Sequence, residues 1–395
     1  MKYPLNINVV WHPDSEIGQE IAEYIYSTFC RDYKRPLSRG IGIPVYFRYF
    51  KDKDGKPLEI DCSKSEKTAI ILLIDEEYFM DDNLRRYTSD LLKLVNNDVR
   101  IFPISLFDKA YSINPELGKL QFINAQRFLN QKLDFTNDFD FTKALTKIKS
   151  ELLHDCARLL MDFHPAYKDK EKHRINSPVK LFLSHAKNDG EKITISFKQF
   201  IENSLKLDVF FDTVDVADGY GFAEQFETEI KHSALVVFHT DEYSDREWCR
   251  REVIIAKRHK SPIVVAHKIK DGEKRAFPYL GNMPTSVIHN NSKEEEELSF
   301  IRIVILTLTQ VLNNLYQLRL LNNYIELYND NNIEVKAISS PPELFNFLDI
   351  RKHTEKPNAK PLIILYPDPP LGIEEVNILN ELDPEVKFLT PVNLS

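Results

Sequence analysis

Short apolar runs recur along the chain, and segments with helical periodicity separate them. The first 163 residues contain four runs that predict strands: Asn6–Trp11, Ile41–Phe47, Thr68–Ile74 and Val99–Ile104. The helical segments run over residues 16–30, 83–95 and 141–161. Strands that alternate with helices predict an α/β domain with a doubly wound sheet.

The same alternation starts again at residue 178. The predicted strands of this second domain are Val179–His185, Leu207–Phe211, Ala234–Phe238 and Ser261–Ala266. Its predicted helices cover residues 195–205 and 223–231, and a third begins near Asp245. The run Ala234–Phe238 is continuously apolar, so it predicts a central strand of a parallel sheet.

The remaining segments set the domain boundaries. A charged run without apolar periodicity, Tyr167–Arg174, predicts a linker at residues 164–177 between domains at 1–163 and 178–290; a solvated helix end is the alternative. Ser292 and Glu295 have the spacing of a capping box, and an apolar helical face follows, so residues 291–330 are a predicted helical connector. Three short predicted strands, Glu334–Ile338, Pro361–Tyr366 and Val386–Leu389, with helices between them indicate a small α/β domain at 331–395.

The two large domains share a sequence pattern. Residues 69–78 parallel residues 234–243, since in each case an apolar strand enters an acidic turn that ends in tyrosine. The next helix differs. The first copy has the segment Asn83–Thr88 where the second has Trp248 and Glu252.

Trp248 and Glu252 are the strongest candidates for chemistry. Their i and i+4 spacing places an indole and a carboxylate on one helix face. The helix follows a buried strand, and ligands of open α/β sheets bind at the carboxyl ends of the strands. The alternatives are structural: Trp248 as a core residue, and Glu252 as a surface partner of Arg251 or Lys257.

Composition and charge argue against several classes of protein. The net charge of −8 argues against a general nucleic-acid or anionic-membrane surface. The four cysteines are scattered without metal-ligand spacing, so free thiols in a reducing compartment are expected. The N-terminus lacks a signal-peptide core, and the run Ile301–Leu308 is short and contains Arg302, so we expect a cytoplasmic protein without a membrane span.

Three segments of the second domain resemble a bacterial TIR (Toll/interleukin-1 receptor) domain. They are the first box Leu181–Asp189, the strand and loop Val209–Gly219, and the stretch Ser233–Glu252 with its Trp-x-x-x-Glu pattern. The resemblance implies a flavodoxin-like parallel sheet flanked by helices. The first domain looks like a divergent second TIR-like unit.

The resemblance also implies an activity. Many members of this family cleave NAD at the bond between nicotinamide and ribose, and the glutamate of the pattern, here Glu252, is essential in them. NAD would be the substrate, with no metal and no further cofactor. A Rossmann dinucleotide site is not expected, because Gly219 and Gly221 lack the required glycine order.

We expect the other site residues to surround Glu252. Trp248 would form an apolar wall, Phe182 and Ser184 would line the cleft at the end of the first strand, and Asp212 and Gly219 would shape the loop over it. Arg251 is a candidate for the NAD phosphates, although adjacent arginines on a helix are usually solvated. His185 and His239 are expected to be packed or capping residues rather than catalytic bases, and Cys249 is expected to be inert.

The resemblance further implies assembly. Family members of this kind self-associate through their TIR domains and act in anti-phage defence, and the product would be ADP-ribose or a cyclic form. The alternative is a non-catalytic adaptor or nucleotide-sensing module that binds another TIR or defence-system protein. A nucleoside deoxyribosyltransferase is a third hypothesis that fits the TIR segments less well.

Overall fold

A computed structural model describes residues 1–34, 40–49, 58–129, 131–163, 178–205, 207–211, 222–328, 332–347 and 360–394. The chain divides into two compact units, Met1–Leu160 and Met161–Ser395. The charged run Tyr167–Arg174 and the rest of the predicted linker lie outside the described residues.

The first unit contains a five-stranded parallel sheet with helices between the strands. Its strands are β1 (Tyr3–Val10), β2 (Val45–Phe47), β3 (Ser65–Ile74), β4 (Val99–Ser105) and β5 (Ile123–Asn124), in the order β2-β1-β3-β4-β5. The helices are α1 (Glu16–Phe29), α2 (Glu76–Met80), α3 (Asp82–Leu92) and α4 (Asp138–Leu160). A short antiparallel pair, β6 (Arg127–Phe128) and β7 (Gln131–Lys132), precedes α4.

Local sequence explains these elements. Residues 67–74 of β3 are all buried, as its apolar run predicts for a central strand. Ser15 caps α1, because its hydroxyl oxygen accepts the Gly18 N–H at 2.8 Å. Strand β2 is shorter than the predicted Ile41–Phe47, since Gly42 has a φ of 80° and Pro44 lacks the N–H that a ladder needs.

The second unit repeats this architecture. Its main sheet has the strands β8 (Lys180–His185), β9 (Asp208–Phe211), β10 (Ala234–His239), β11 (Ile263–His267) and β12 (Thr285–Val287). They are ordered β9-β8-β10-β11-β12, which is the same 2-1-3-4-5 order as in the first unit and is typical of flavodoxin-like folds. The helices are α5 (Glu191–Ser204), α6 (Phe222–Lys231) and α7 (Glu247–His259). The predicted fold class, α/β with parallel sheets flanked by helices, is confirmed.

A small third sheet follows in the same unit. Its parallel strands are β13 (Glu334–Ala337), β14 (Leu362–Leu365) and β15 (Val386–Leu389), at the predicted positions. A long helix, α8 (Lys293–Leu327), connects the main sheet to this third sheet. The unit also contains the helices α9 (Ile373–Leu382) and α10 (Pro391–Leu394).

Helix α8 packs against β10, β11 and β12 of the main sheet and against β13 of the third. Ser292 caps it as predicted, with its hydroxyl oxygen accepting the Glu295 N–H at 3.2 Å. At 35 residues it is long enough and apolar enough to cross a membrane, but 56% of its most apolar window is buried inside the protein. This burial is typical of a core helix.

We predict that the buried face of α8 contributes strongly to stability. Leu312 is fully buried, so Leu312→Ala should lower the free energy of unfolding by about 2–5 kcal/mol. Leu327 is 62% exposed near the end of the same helix, and Leu327→Ala should change it by less than about 0.5 kcal/mol. Urea unfolding of both variants is the measurement, and equal effects would contradict this packing.

Candidate functional site

Parallel strands bring the candidate residues to one edge of the main sheet. Strand β8 lies beside β10, with Ser184 in register with Val237 and His185 with Phe238. The carboxyl ends of both strands therefore meet at the same edge, and α7 begins there eight residues after β10 ends. Ligands of open α/β sheets bind at such an edge.

A buried cluster of three polar side chains forms the centre of this site. Glu252, on α7, is 6% exposed, and its carboxylate accepts a short hydrogen bond from the hydroxyl of Ser184 at the end of β8. The Ser184 hydroxyl also lies 2.6 Å from the phenol oxygen of Tyr243, which is fully buried. Three separate elements thus converge on one carboxylate.

The direction of each hydrogen bond in this cluster follows from which groups carry a proton. An ionised carboxylate only accepts hydrogen bonds, so the single proton of Ser184 goes to Glu252. Ser184 then accepts the proton of Tyr243, and the Cys249 carbonyl, 3.3 Å from the phenol, is the weaker alternative acceptor. Burial, followed by the nearby Cys249 and Glu252, raises the pKa of Tyr243 well above its ordinary value, which keeps the phenol protonated as a donor.

Trp248 lies one turn before Glu252 on α7 and is 44% exposed. The guanidinium of Arg251 lies over its ring, 4.6 Å from the centroid, within the range of a cation–π contact. An exposed indole with a cation over it stands beside a buried carboxylate, which suits a cleft for a ligand that carries both a ring and negative charge. The predicted alternative of Trp248 as a core residue does not agree with this exposure.

Phe182 occupies a different position from the expected one. It is fully buried, stacks on Phe210 at a centroid distance of 5.1 Å and meets the Phe226 ring edge-on at 5.3 Å. Since β8 is covered on both faces, its alternate side chains point into the core rather than into a cleft. Phe182 therefore supports the site from below and offers no surface to a ligand.

Hydrogen bonds connect the loop after β8 to the residues that follow β10. The Asp189 carboxylate accepts the Thr240 hydroxyl at 2.8 Å and the Glu242 N–H at 3.1 Å. Asp241 in turn accepts three backbone N–H groups, from residues 270–272, and these hydrogen bonds lower its pKa. The turn contains Gly272 at a φ of 115°, a conformation that favours glycine. The acidic residues of this segment thus hold neighbouring loops in place.

A second polar cluster lies at the same edge. His239 Nε2 is 2.6 Å from Glu273, whose carboxylate also accepts the hydroxyl of Ser244. The ring of His267, on the adjacent strand, lies 5.4 Å from the His239 ring. His239 is 8% exposed and His185 stacks on Phe211 at 4.9 Å, so both histidines are packed within the domain.

The remaining predicted residues have separate positions. Asp212 and Gly219, with the rest of the loop 212–221, lie outside the described residues. Lys257 pairs with Glu343 at 2.7 Å, and Cys249 is a buried free thiol that donates to the His185 carbonyl. The alternative of Glu252 as a surface ion-pair partner does not agree with its burial. Among the described residues there is no cluster of three or more His, Cys, Asp or Glu side chains with metal-binding geometry.

Tyr243 is the site residue that sequence reasoning did not single out. The signal was present in the internal repeat, because the acidic turns after β3 and β10 both end in a tyrosine, Tyr78 and Tyr243. Both are fully buried. Tyr78 lies 2.8 Å from the hydroxyl of Thr88, as Tyr243 does from Ser184 at 2.6 Å. A tyrosine shared by two otherwise different turns indicates a common structural role.

Comparison with known families identifies this domain. Residues 181–301 match the family model described as TIR domain, which covers the main sheet of the second unit and the first turns of α8. No curated protein matches the chain. One similar solved structure is a candidate sugar-binding protein from Salmonella typhimurium LT2. It has 10% identity, covers 62% of this chain and 88% of its own, and has a TM-score of 0.20, which is too low to indicate a shared fold.

The chain thus contains a TIR domain at residues 181–301. TIR domains serve in signalling, commonly self-associate, and include enzymes that cleave NAD. The candidate cluster of Ser184, Tyr243 and Glu252 lies inside the matched range.

We predict that His267 makes stability depend on pH. Burial and the nearby His239 lower its pKa, with Glu273 opposing. The folded state therefore favours the neutral ring, and this contribution is complete above the ordinary pKa of about 6.5 and is lost as pH falls through the lowered value. His267→Gln should flatten the dependence of the urea midpoint on pH below about 6.5.

The control is His289→Gln, because His289 is exposed and lies outside the cluster. It should leave the pH dependence unchanged. An NMR titration of His267 with a pKa at or above the ordinary value would contradict the prediction.

Proposed function

We propose that the TIR domain cleaves NAD at the bond between nicotinamide and ribose, with Glu252 as the catalytic carboxylate. The single observation that carries the proposal is the buried, hydroxyl-bonded Glu252 at the carboxyl edge of a TIR sheet, one turn from the exposed Trp248. Burial of a carboxylate is costly unless its partners are arranged around it, so a position of this kind is typical of functional sites.

The chemistry requires only one carboxylate. Most glycosidases need a second, because a poor oxygen leaving group must be protonated as the bond breaks. In NAD the C1′–N bond breaks with its electron pair moving to the pyridinium nitrogen, and neutral nicotinamide leaves. Glu252 would stabilise the positive charge that develops on the ribose, which is the kind of electrostatic interaction that contributes most to catalysis. Water, or an adenine nitrogen in a cyclising enzyme, then bonds to C1′ and loses a proton.

The neighbouring residues have supporting roles in this proposal. Ser184 positions the carboxylate through its hydrogen bond, and Tyr243 positions Ser184, so the carboxylate would be held ready before substrate arrives. Trp248 would cover one face of the nicotinamide or ribose, and Arg251, held over the indole, would lie within reach of the NAD phosphates. Asp212 and Gly219 are proposed to shape the loop over the cleft.

The first unit is proposed to be a TIR-like domain that has no such activity. It has the same sheet order, but Val10 pairs with Leu72 of β3 where Ser184 pairs with Val237 of β10. In the aligned helix Tyr87 takes the position of Glu252, and its phenol donates to the Leu58 carbonyl at 2.8 Å. Val10 has no hydroxyl at the position of Ser184, and Tyr87 has no carboxylate at the position of Glu252, so the first unit lacks both groups that the proposed mechanism uses.

Activity is proposed to depend on self-association of TIR domains in a cytoplasmic, anti-phage signalling role. The exposed Trp248 at the mouth of the site is consistent with a cleft that a second copy completes. The alternative, an adaptor that binds another TIR protein, would need the exposed surface but not the buried carboxylate.

We predict that Glu252→Gln abolishes NAD cleavage. The substitution keeps the shape and removes the charge, so turnover should fall by at least about 100-fold. The matched control is Glu247→Gln, an exposed glutamate on the same helix, which should retain activity. NAD loss and nicotinamide release, followed by chromatography at low and at crowded protein concentration, are the measurements. No turnover by the unchanged protein under any of these conditions would favour the adaptor.

We predict a graded effect at Trp248. Trp248→Phe keeps an aromatic wall and should raise KM by a few-fold, whereas Trp248→Ala should raise it by about ten-fold or more, since stacking on an aromatic ring contributes about 1–3 kcal/mol. The measurement is the KM for NAD of each variant. Equal KM values for Trp248→Phe and Trp248→Ala would show that the indole does not contact the substrate.

A further inference from the structure

We propose that a cleft between the TIR domain and the third sheet is a second ligand site, which takes a neutral heterocycle of nucleoside size. The cleft has a volume of about 260 Å³ and is bounded by the end of α7, one face of α8 and the residues that follow β13. The proposal does not depend on NAD cleavage, because this cleft is at the opposite end of the main sheet from Glu252.

Its position in the fold is that of a ligand site. Ser339 and Ser340 follow the carboxyl end of the parallel strand β13, the end at which α/β sheets bind ligands. Lys260, Ser261 and Pro262 precede β11, so the same cleft meets the main sheet at its amino end. Residues from two sheets thus face a common space, as is usual for sites at domain junctions.

Amide side chains provide the hydrogen-bonding capacity. Gln310 and Asn313 are three residues apart on α8, so they lie on one face of the helix, and both line the cleft. Both are partly buried, and neither side chain hydrogen-bonds to another residue in the described part of the chain. Amides offer donor and acceptor together, which matches the edge of a nucleobase.

The buried cation of the cleft is paired with a carboxylate. Lys257, whose side chain is 2% exposed, pairs with Glu343 at 2.7 Å, and Asn282 lies 3.4 Å from both charged groups. A phosphate would have to compete with Glu343 for this ammonium group. The pairing leaves this buried ammonium group less available to an anion, and Lys260, the other cation of the lining, is exposed to solvent, so we infer a neutral ligand.

Apolar side chains complete the lining. Ile263, Met283 and Ile338 line the cleft, with the two isoleucines only 5% and 4% exposed, so the apolar part of the lining is small. The volume is just below the range of about 300–1,000 Å³ that is typical of pockets for drug-sized ligands. A ligand of one or two rings with polar edges, such as a nucleoside, fits both the size and the chemistry.

The test is calorimetric titration of the full chain with adenosine, guanosine, cytidine and uridine separately, and with inorganic phosphate. At least one nucleoside should bind with a Kd below about 1 mM, and phosphate should neither bind nor compete. Failure of all four nucleosides to bind, or competition by phosphate, would overturn the proposal.

Three variants test whether the nucleoside binds in this cleft. Asn313→Ala should weaken nucleoside binding by about ten-fold or more, since the substitution leaves a polar group of the ligand unpaired. Asn322→Ala, on the same helix but outside the cleft, should leave binding unchanged. Glu252→Gln should also leave it unchanged, because the TIR site is at the other end of the sheet. Loss of binding in Glu252→Gln would place the nucleoside in the TIR site instead, and equal loss in both asparagine variants would remove it from this cleft.

Discussion

The candidate site depends on the hydrogen bond that satisfies the buried carboxylate of Glu252. A carboxylate removed from water is tolerated only where donors replace the solvent, and one donor here is Ser184, which is itself hydrogen-bonded to Tyr243. The three residues come from a strand end, a turn and a helix, so the contact fixes the position of α7 relative to the sheet. The register of β8 beside β10 sets this arrangement in turn, because a slip of one residue would point Ser184 to the other face.

Sequence alone predicts the strands of all three sheets well where apolar runs are continuous, as in β3 and β10. It also places Trp248 and Glu252 together, because helical periodicity acts over four residues. It does not reveal Tyr243 as a partner of Ser184, since that contact joins residues 59 positions apart. Nor does it show that Phe182 faces the core, because both faces of a buried strand are apolar. Very short strands such as β5 and β12 carry too few residues for a pattern.

The apolar composition of the long helix α8 corresponds to the number of elements that pack against it. Its apolar residues are distributed around most of its circumference, a pattern typical of helices buried on several sides. It contacts two sheets, the TIR sheet and the sheet that begins with β13. The sequence expectation of a connector at 291–330 describes its place in the chain, whereas the structure shows it packed as a shared core element. Its polar positions, such as Gln310 and Asn313, lie where the two sheets leave a gap between them.

Helix α7 has buried polar contacts at two points. Glu252, at the middle of the helix, accepts the hydroxyl of Ser184, and Lys257, near its carboxyl end, bonds to Glu343 after β13. Five residues separate them, which is about 7.5 Å along the helix axis. Hydrogen bonds weaken over a few tenths of an ångström, so each of the two contacts restricts the position of α7. The Lys257–Glu343 pair therefore holds the helix at a second point, in addition to the contact that positions the carboxylate.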